Sequence, residues 1–282
     1  MKISVVSGKG GTGKTTVSVN IALLLENAVI VDCDVEEPNC SIFLKPKIEK
    51  TYDVSVMVPS VDKTKCDYCG KCAEVCAYRA INVFKSAKGG NILFLDHLCH
   101  NCKACGYFCP KNAIKFIEKK IGVIEEGWSG KLKYFGGKIE IGEIKTPFLI
   151  NELKSRVEGY DTIIFDGPPG ASCSVMATVR GSDYCVLVTE PTRFGLNDLE
   201  IAFEVVRKFG IPSGVVINRW RENFDFEKRL KGMGLEIIGK IPYDREIAEN
   251  YSKGNTIVNI EKYKNIFREI FEKIQVYTGK VK

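Results

Sequence analysis

The chain has 282 residues, 45% of them hydrophobic and 27% charged, enough for one full α/β core and a small second module. Its net charge of +6 comes from Lys and Arg spread along the whole sequence, which favours anionic partners mildly; nucleotide alone satisfies that preference, and no nucleic-acid partner is expected. Residues 2–7 run straight into a glycine-rich loop instead of an apolar leader, and no apolar stretch reaches the ~20 residues that span a bilayer, so a cytoplasmic protein with no membrane partner is expected.

Residues 2–7 alternate and are rich in Val and Ile, which reads as a buried strand. The glycine-rich loop then leads into a helix with apolar positions Val17, Ile21, Leu24 and Leu25, and a second strand follows at 28–32. That order opens a parallel sheet with a right-handed crossover. From about residue 60 the pattern breaks into short segments dominated by cysteine, and α/β periodicity resumes only after about 118, which marks an insertion. A hairpin-like stretch containing Gly122, Gly127, Gly130, Gly136, Gly137 and Gly142 follows. A helix near 147–157 precedes the strand Thr162–Phe165; strands at Tyr184–Thr189, Gly214–Asn218 and 236–240 then alternate with helices near 197–209 and 225–233. The expected fold class is α/β: a doubly wound, mostly parallel sheet formed by 1–60 and 119–282, with an inserted α+β domain at 61–118.

Gly8-Lys9-Gly10-Gly11-Thr12-Gly13-Lys14-Thr15-Thr16 matches G-x-x-x-x-G-K-[ST] between a strand and a helix, the setting that makes this phosphate-loop motif credible. Glycines let backbone N–H groups point at phosphate oxygens, and the helix N-terminus adds partial positive charge. Lys14 is expected to reach the β and γ phosphates, and Thr15 to offer its hydroxyl to Mg²⁺. Gly8, Gly10 and Gly13 also satisfy G-x-G-x-x-G, with Asp32 19 residues beyond Gly13, so a dinucleotide-binding unit is the competing reading. Lys14-Thr15 argues against it, because a dinucleotide loop needs neither group there. Asp166, at the end of the apolar strand Ile163-Ile164-Phe165, is placed to hold Mg²⁺ through water, and Asp32 and Asp34 put two carboxylates on one side of strand two.

With Lys9 in place, the loop resembles that of the deviant Walker A P-loop ATPases, the group that includes MinD, ParA, Mrp-type and nitrogenase iron proteins. The resemblance covers 1–60 and 119–280. It implies an ATP-dependent homodimer in which Lys9 crosses to the partner's nucleotide, Asp34 orients the attacking water, and Asp32 neighbours Mg²⁺. It further implies that Asn218 and Pro242 contact adenine.

Twelve cysteines suggest disulfides only in a small secreted domain; here eight crowd between 66 and 109, which points to metal. Cys66, Cys69, Cys72 and Cys76 follow the 2-2-3 spacing of a bacterial-type ferredoxin, and Cys99, Cys102, Cys105 and Cys109 repeat it. In that pattern the fourth cysteine of each run serves the other [4Fe-4S] cluster, so Cys66, Cys69, Cys72 and Cys109 form one ligand set and Cys76, Cys99, Cys102 and Cys105 the second. Zinc on the C-x2-C pairs is the competing reading, although it leaves the third cysteine of each run without a role. Cys33, Cys40 and Cys185 read as small buried hydrophobes. Cys173, seven residues after Asp166, matches the interval of a cluster-ligating cysteine in nitrogenase iron proteins, and reads either as a structural thiol or as a ligand to an inter-subunit cluster.

Three functions are compatible with these motifs. The first is an ATPase whose nucleotide-driven dimer closure gates electron transfer through two clusters to a redox partner the sequence does not name. The second is an iron-sulfur carrier like the Mrp-type relatives, which use a C-terminal Cys-Pro-x-Cys pair; this chain has no cysteine after Cys185. The third is a MinD-like positioning switch. Its membrane helix has a counterpart in the apolar face Ile260, Tyr263, Ile266, Phe267, Ile270, Phe271 and Ile274, which reads as packing on the sheet instead.

Overall fold

The computed structural model describes every residue except 87, 88, 223 and 280–282. In chain order it contains β1 (Lys2–Ser7), α1 (Lys14–Ala22), β2 (Ala28–Asp32), α2 (Cys40–Leu44), β3 (Lys47–Val61), α3 (Lys71–Glu74), β4 (Ile81–Ser86) and β5 (Gly89–Phe94). There follow α4 (Ala104–Tyr107), β6 (Ile114–Ser129), β7 (Leu132–Ile139), α5 (Thr146–Ser155), β8 (Thr162–Pro169), α6 (Cys173–Val179), β9 (Tyr184–Thr189), α7 (Arg193–Lys208), β10 (Ser213–Trp220), α8 (Phe224–Gly232), β11 (Glu236–Pro242), α9 (Arg245–Ser252) and α10 (Glu261–Tyr277).

One sheet runs in the order β11-β10-β9-β1-β8-β2-β7-β6-β3. Every pairing from β11 to β7 is parallel. Its inner strands are buried on both faces, and alternate residues feed opposite layers, as a period of two requires. Tyr184, Val186 and Val188 of β9 join Val17 and Ile21 of α1 and Phe267, Ile270 and Ile274 of α10 in one core. Cys185 and Leu187 face the other core, with Val175 of α6, Leu199 and Val206 of α7 and Leu230 of α8. Helices therefore cover both sides, and the final helix spends its apolar face on the first core.

Two details differ from the sequence reading. Helix α1 ends at Ala22, and Leu24 and Leu25 pack against the core from the turn beyond it, which closes at Asn27 with φ 47°. The glycine-rich stretch is a hairpin only in its outer half. Ser129 and Leu132 are joined through Gly130 and Lys131, a two-residue connection that only antiparallel strands allow, but β7 is an inner strand parallel to β2.

The chain divides into two compact units: Met1–Tyr52 with Val123–Ile139 and Thr146–Lys282, and Asp53–Gly122 with Glu140–Lys145. The second is wider than 61–118 because the long strands β3 and β6 run into it. Within that unit β4 and β5 form an antiparallel ribbon, and Ile81 and Ile114 pack with Cys72 and Cys105 in a small core of their own. Backbone conformation repeats at an interval of 33 residues: left-handed Tyr68, Gly70 and Arg79 are matched by Asn101, Lys103 and Asn112. The sequence repeat is thus also a repeat of turns. Among the described residues, no helix is long and apolar enough to cross a membrane.

Candidate functional site

The phosphate loop spans the gap between the end of β1 and the start of α1. Ser7 opens it by donating its hydroxyl to the Lys9 carbonyl at 2.6 Å. Gly13 takes φ 99°, a left-handed conformation that disfavours any side chain, and a Cβ there would run into the Asn218 amide. At Gly8 a Cβ would strike the backbone of Asp198 on α7. The Asn218 amide donates to the Thr12 carbonyl at 2.8 Å, which ties the end of β10 to the loop. Pro242 ends β11 in register with Trp220 of β10, two residues beyond Asn218.

Behind the loop, Thr15 and Asp166 meet: the Thr15 hydroxyl lies 2.7 Å from Asp166 Oδ2 and 2.6 Å from Asn39 Oδ1. Asp32 is fully buried, and its carboxylate accepts from the N–H groups of Asp34 (3.2 Å), Asn39 (2.9 Å) and Cys40 (2.9 Å). It shapes the segment after β2 as an Asx-type anchor. Burial, reinforced by the charge of Asp166, pushes the Asp32 carboxyl well above the usual carboxylate range. Burial also raises Asp166, against the lowering effect of the Thr15 hydroxyl. Asp34, more open, is raised to about 6 by burial, although Lys14 opposes the shift. Two buried carboxylates that each resist ionisation are relieved by a cation between them.

The residues present fit Mg²⁺ and a polyphosphate. Asp166 Oδ1 and the Thr12 hydroxyl are buried without a hydrogen-bond partner among the described residues, Lys14 is buried, and Thr15 already stands within hydrogen-bond reach of Asp166. Lys9 pairs within its own chain with Glu190 at 3.8 Å, and Glu190 also receives Arg219 at 2.7 Å. Sequence reasoning missed Glu190 and Asn39, and read Cys40 as a small buried hydrophobe, which it is, without its contact to Asp166. Glu190 directly follows β9, at the same C-terminal sheet edge as Asp32 and Asp166, and that position was its only signal. Asn39 and Cys40 carried none, because the turn that brings them back to Asp32 is made by hydrogen bonds to the backbone.

In the second unit, Cys66, Cys69, Cys72 and Cys109 line one recess, closed by Ile92, Ile114 and Pro110. Burial pushes the Cys105 thiol up to about 11, and Cys99 and Cys102, close enough to act on it, add to the shift. Cys76 packs in the same small core as Cys105. The two fourth cysteines are equivalent: Cys76 Sγ accepts from Ala80 N–H at 3.2 Å and Cys109 Sγ from Ala113 N–H at 3.3 Å. Cys173 is exposed at the start of α6, whereas Cys33, Cys40 and Cys185 are buried.

The model of the CobQ/CobB/MinD/ParA nucleotide-binding domain matches residues 3–257. The chain belongs to that family. Relatives within reach of this MinD/ParA-type chain include an "uncharacterized protein" of Methanocaldococcus jannaschii, 31% identical, with 96% of each chain covered. A protein of the same organism described as an iron-sulfur cluster carrier is 24% identical over 97% of this chain and 85% of its own length. Among solved structures, the septum site-determining protein MinD of Pyrococcus horikoshii, complexed with Mg-ADP, superposes with a TM-score of 0.60 at 21% identity, covering 100% of this chain and 99% of that one. The cell division ATPase MinD of Pyrococcus furiosus gives 0.58 at 22% identity, with 98% of each covered. These neighbours share the mostly parallel nucleotide-binding fold.

Proposed function

We propose that this MinD/ParA-type nucleotide-binding protein is an Mg²⁺-dependent ATPase that holds two [4Fe-4S] clusters and couples ATP-driven closure of a homodimer to electron transfer through them. The observation that carries the reading is the recess lined by Cys66, Cys69, Cys72 and Cys109, because three thiols of one run and the fourth of the other form the crossed ligand set of a two-cluster ferredoxin. Cys76, Cys99, Cys102 and Cys105 supply the second set. When bound, the clusters provide one-electron redox chemistry; the protein contributes thiolates, and burial and N–H groups such as those of Ala80 and Ala113 tune the potential.

At the nucleotide site, loop N–H groups and Lys14 hold the β and γ phosphates, while Thr15, Asp32 and Asp166 hold Mg²⁺. Asp34 orients the attacking water. Lys9 leaves Glu190 and reaches the partner's nucleotide on closure; the pair is long, at 3.8 Å, and the buried Glu190 keeps Arg219 at 2.7 Å when Lys9 departs. Asn218 and Pro242 flank the base.

The 24% identity to a described iron-sulfur cluster carrier favours a second reading, in which a cluster is cargo handed to an apo-protein. Loss of iron from the chain to an apo-ferredoxin in an ATP-dependent assay identifies a carrier. Retention of iron with a nucleotide-dependent reduction potential identifies the gated electron carrier.

A further inference from the structure

We infer that Cys40 makes the cation site behind the phosphate loop a site for a borderline-soft divalent cation, of the zinc or ferrous class, held directly by Asp32, Cys40 and Asp166 in the nucleotide-free chain. One donor atom from each residue lies within 4.8 Å of the other two, and all three residues are buried. The Cys40 thiol donates to Asp166 Oδ2 at 3.2 Å. A tetrahedral cation with sulfur at ~2.3 Å and oxygen at ~2.1 Å holds those donors roughly 3.6 Å apart, so small side-chain rotations close the site. A second observation points to a ligand: Asp166 Oδ1, in a residue with no exposed surface, has no hydrogen-bond partner among the described residues.

Mg²⁺ takes oxygen ligands and keeps its waters, so a thiol adds nothing for it. Zinc, cobalt and cadmium prefer a site with sulfur in it. Binding forms a metal–sulfur bond and releases the Cys40 thiol proton to solvent. Because Asp32 and Asp166 also serve the nucleotide's Mg²⁺ in the function proposed above, the soft cation and MgADP compete.

Cadmium-113 NMR of the full chain, nucleotide-free and titrated with ¹¹³Cd²⁺ alone, tests this. A mixed sulfur–oxygen site resonates far upfield of the tetrathiolate signals that any cysteine set left without its cluster gives. The expected result is one mixed-site resonance that Cys40→Ser removes or moves to the all-oxygen range, with affinity reduced at least about ten-fold, while Cys33→Ser leaves it in place. In the wild type, which needs no variant to fold, excess MgADP displaces that resonance. Tetrathiolate signals alone, a mixed-site signal that survives Cys40→Ser, or one that persists with MgADP bound would overturn the inference. Calorimetry of MgADP on the same sample keeps the readings apart: a chain that binds cadmium here but takes up no nucleotide contradicts the proposed ATPase and not the metal site.

Discussion

In the proposed mechanism Asp34 is the side chain that links electrostatics to turnover most directly. Its carboxyl, raised by burial to about 6, stabilises the free chain fully below the unfolded carboxylate range near 4, and that contribution is lost as pH rises through about 6. The anionic form is the one able to orient water, so kcat/KM for MgATP is expected to rise through about pH 6, since that ratio reports the free enzyme. Asp34→Asn should remove the acid limb and lower kcat about 10²-fold or more, as a pH–rate series on both proteins will read. Lys9 has the opposite character: partly exposed, with one long ion pair to Glu190 at 3.8 Å among the described residues, it is expected to matter little to the folded chain. Lys9→Ala should leave the melting temperature unchanged and nucleotide binding nearly so. The same change should abolish the ATP-dependent dimer in sedimentation and cut hydrolysis about 10³-fold, the scale of a charge supplied in trans.

The elements were legible wherever one physical signal dominated. Strand β1, the loop and α1 carry a motif whose glycines answer to conformation and close approach, and α10 carries an apolar stripe that the first core buries through Phe267, Ile270 and Ile274. Ile270→Ala should cost about 2–5 kcal/mol in denaturant unfolding, because the side chain fills space over Gly239 of β11. The place of β7 was illegible: its glycine-rich run looks like a surface hairpin, yet Gly137 is there because Val35 and Leu153 crowd it, a tertiary fact. Asn39, Cys40 and Glu190 were hidden for a similar reason, since contacts made across the sheet edge define them. The cysteine runs were legible by spacing, and the 33-residue repeat of left-handed turns gives that spacing a backbone cause. Cys72→Ser, from the recess-lining set, is expected to halve the iron content of anaerobically isolated protein, from about eight to about four per chain, if each run completes the other's cluster.

For the whole molecule, the proposal joins an energy source to a redox module in one chain. Coupling of ~1–3 kcal/mol, ordinary for allosteric proteins, corresponds to roughly 40–130 mV for one electron, enough to reverse flow between partners of similar potential. An anaerobic redox titration followed by electron paramagnetic resonance should therefore give midpoints that differ by that amount with and without MgATP. The Lys9→Ala protein, expected not to close, should show no difference.

The most direct test of the account is joint analysis of one sample, grown and isolated without air: iron and acid-labile sulfide by chemical assay, and ATP uptake by calorimetry with Mg²⁺ present. About eight irons and eight sulfides per chain are expected together with one bound nucleotide. Zinc in place of iron, far fewer irons than that, or no heat of nucleotide binding would contradict it.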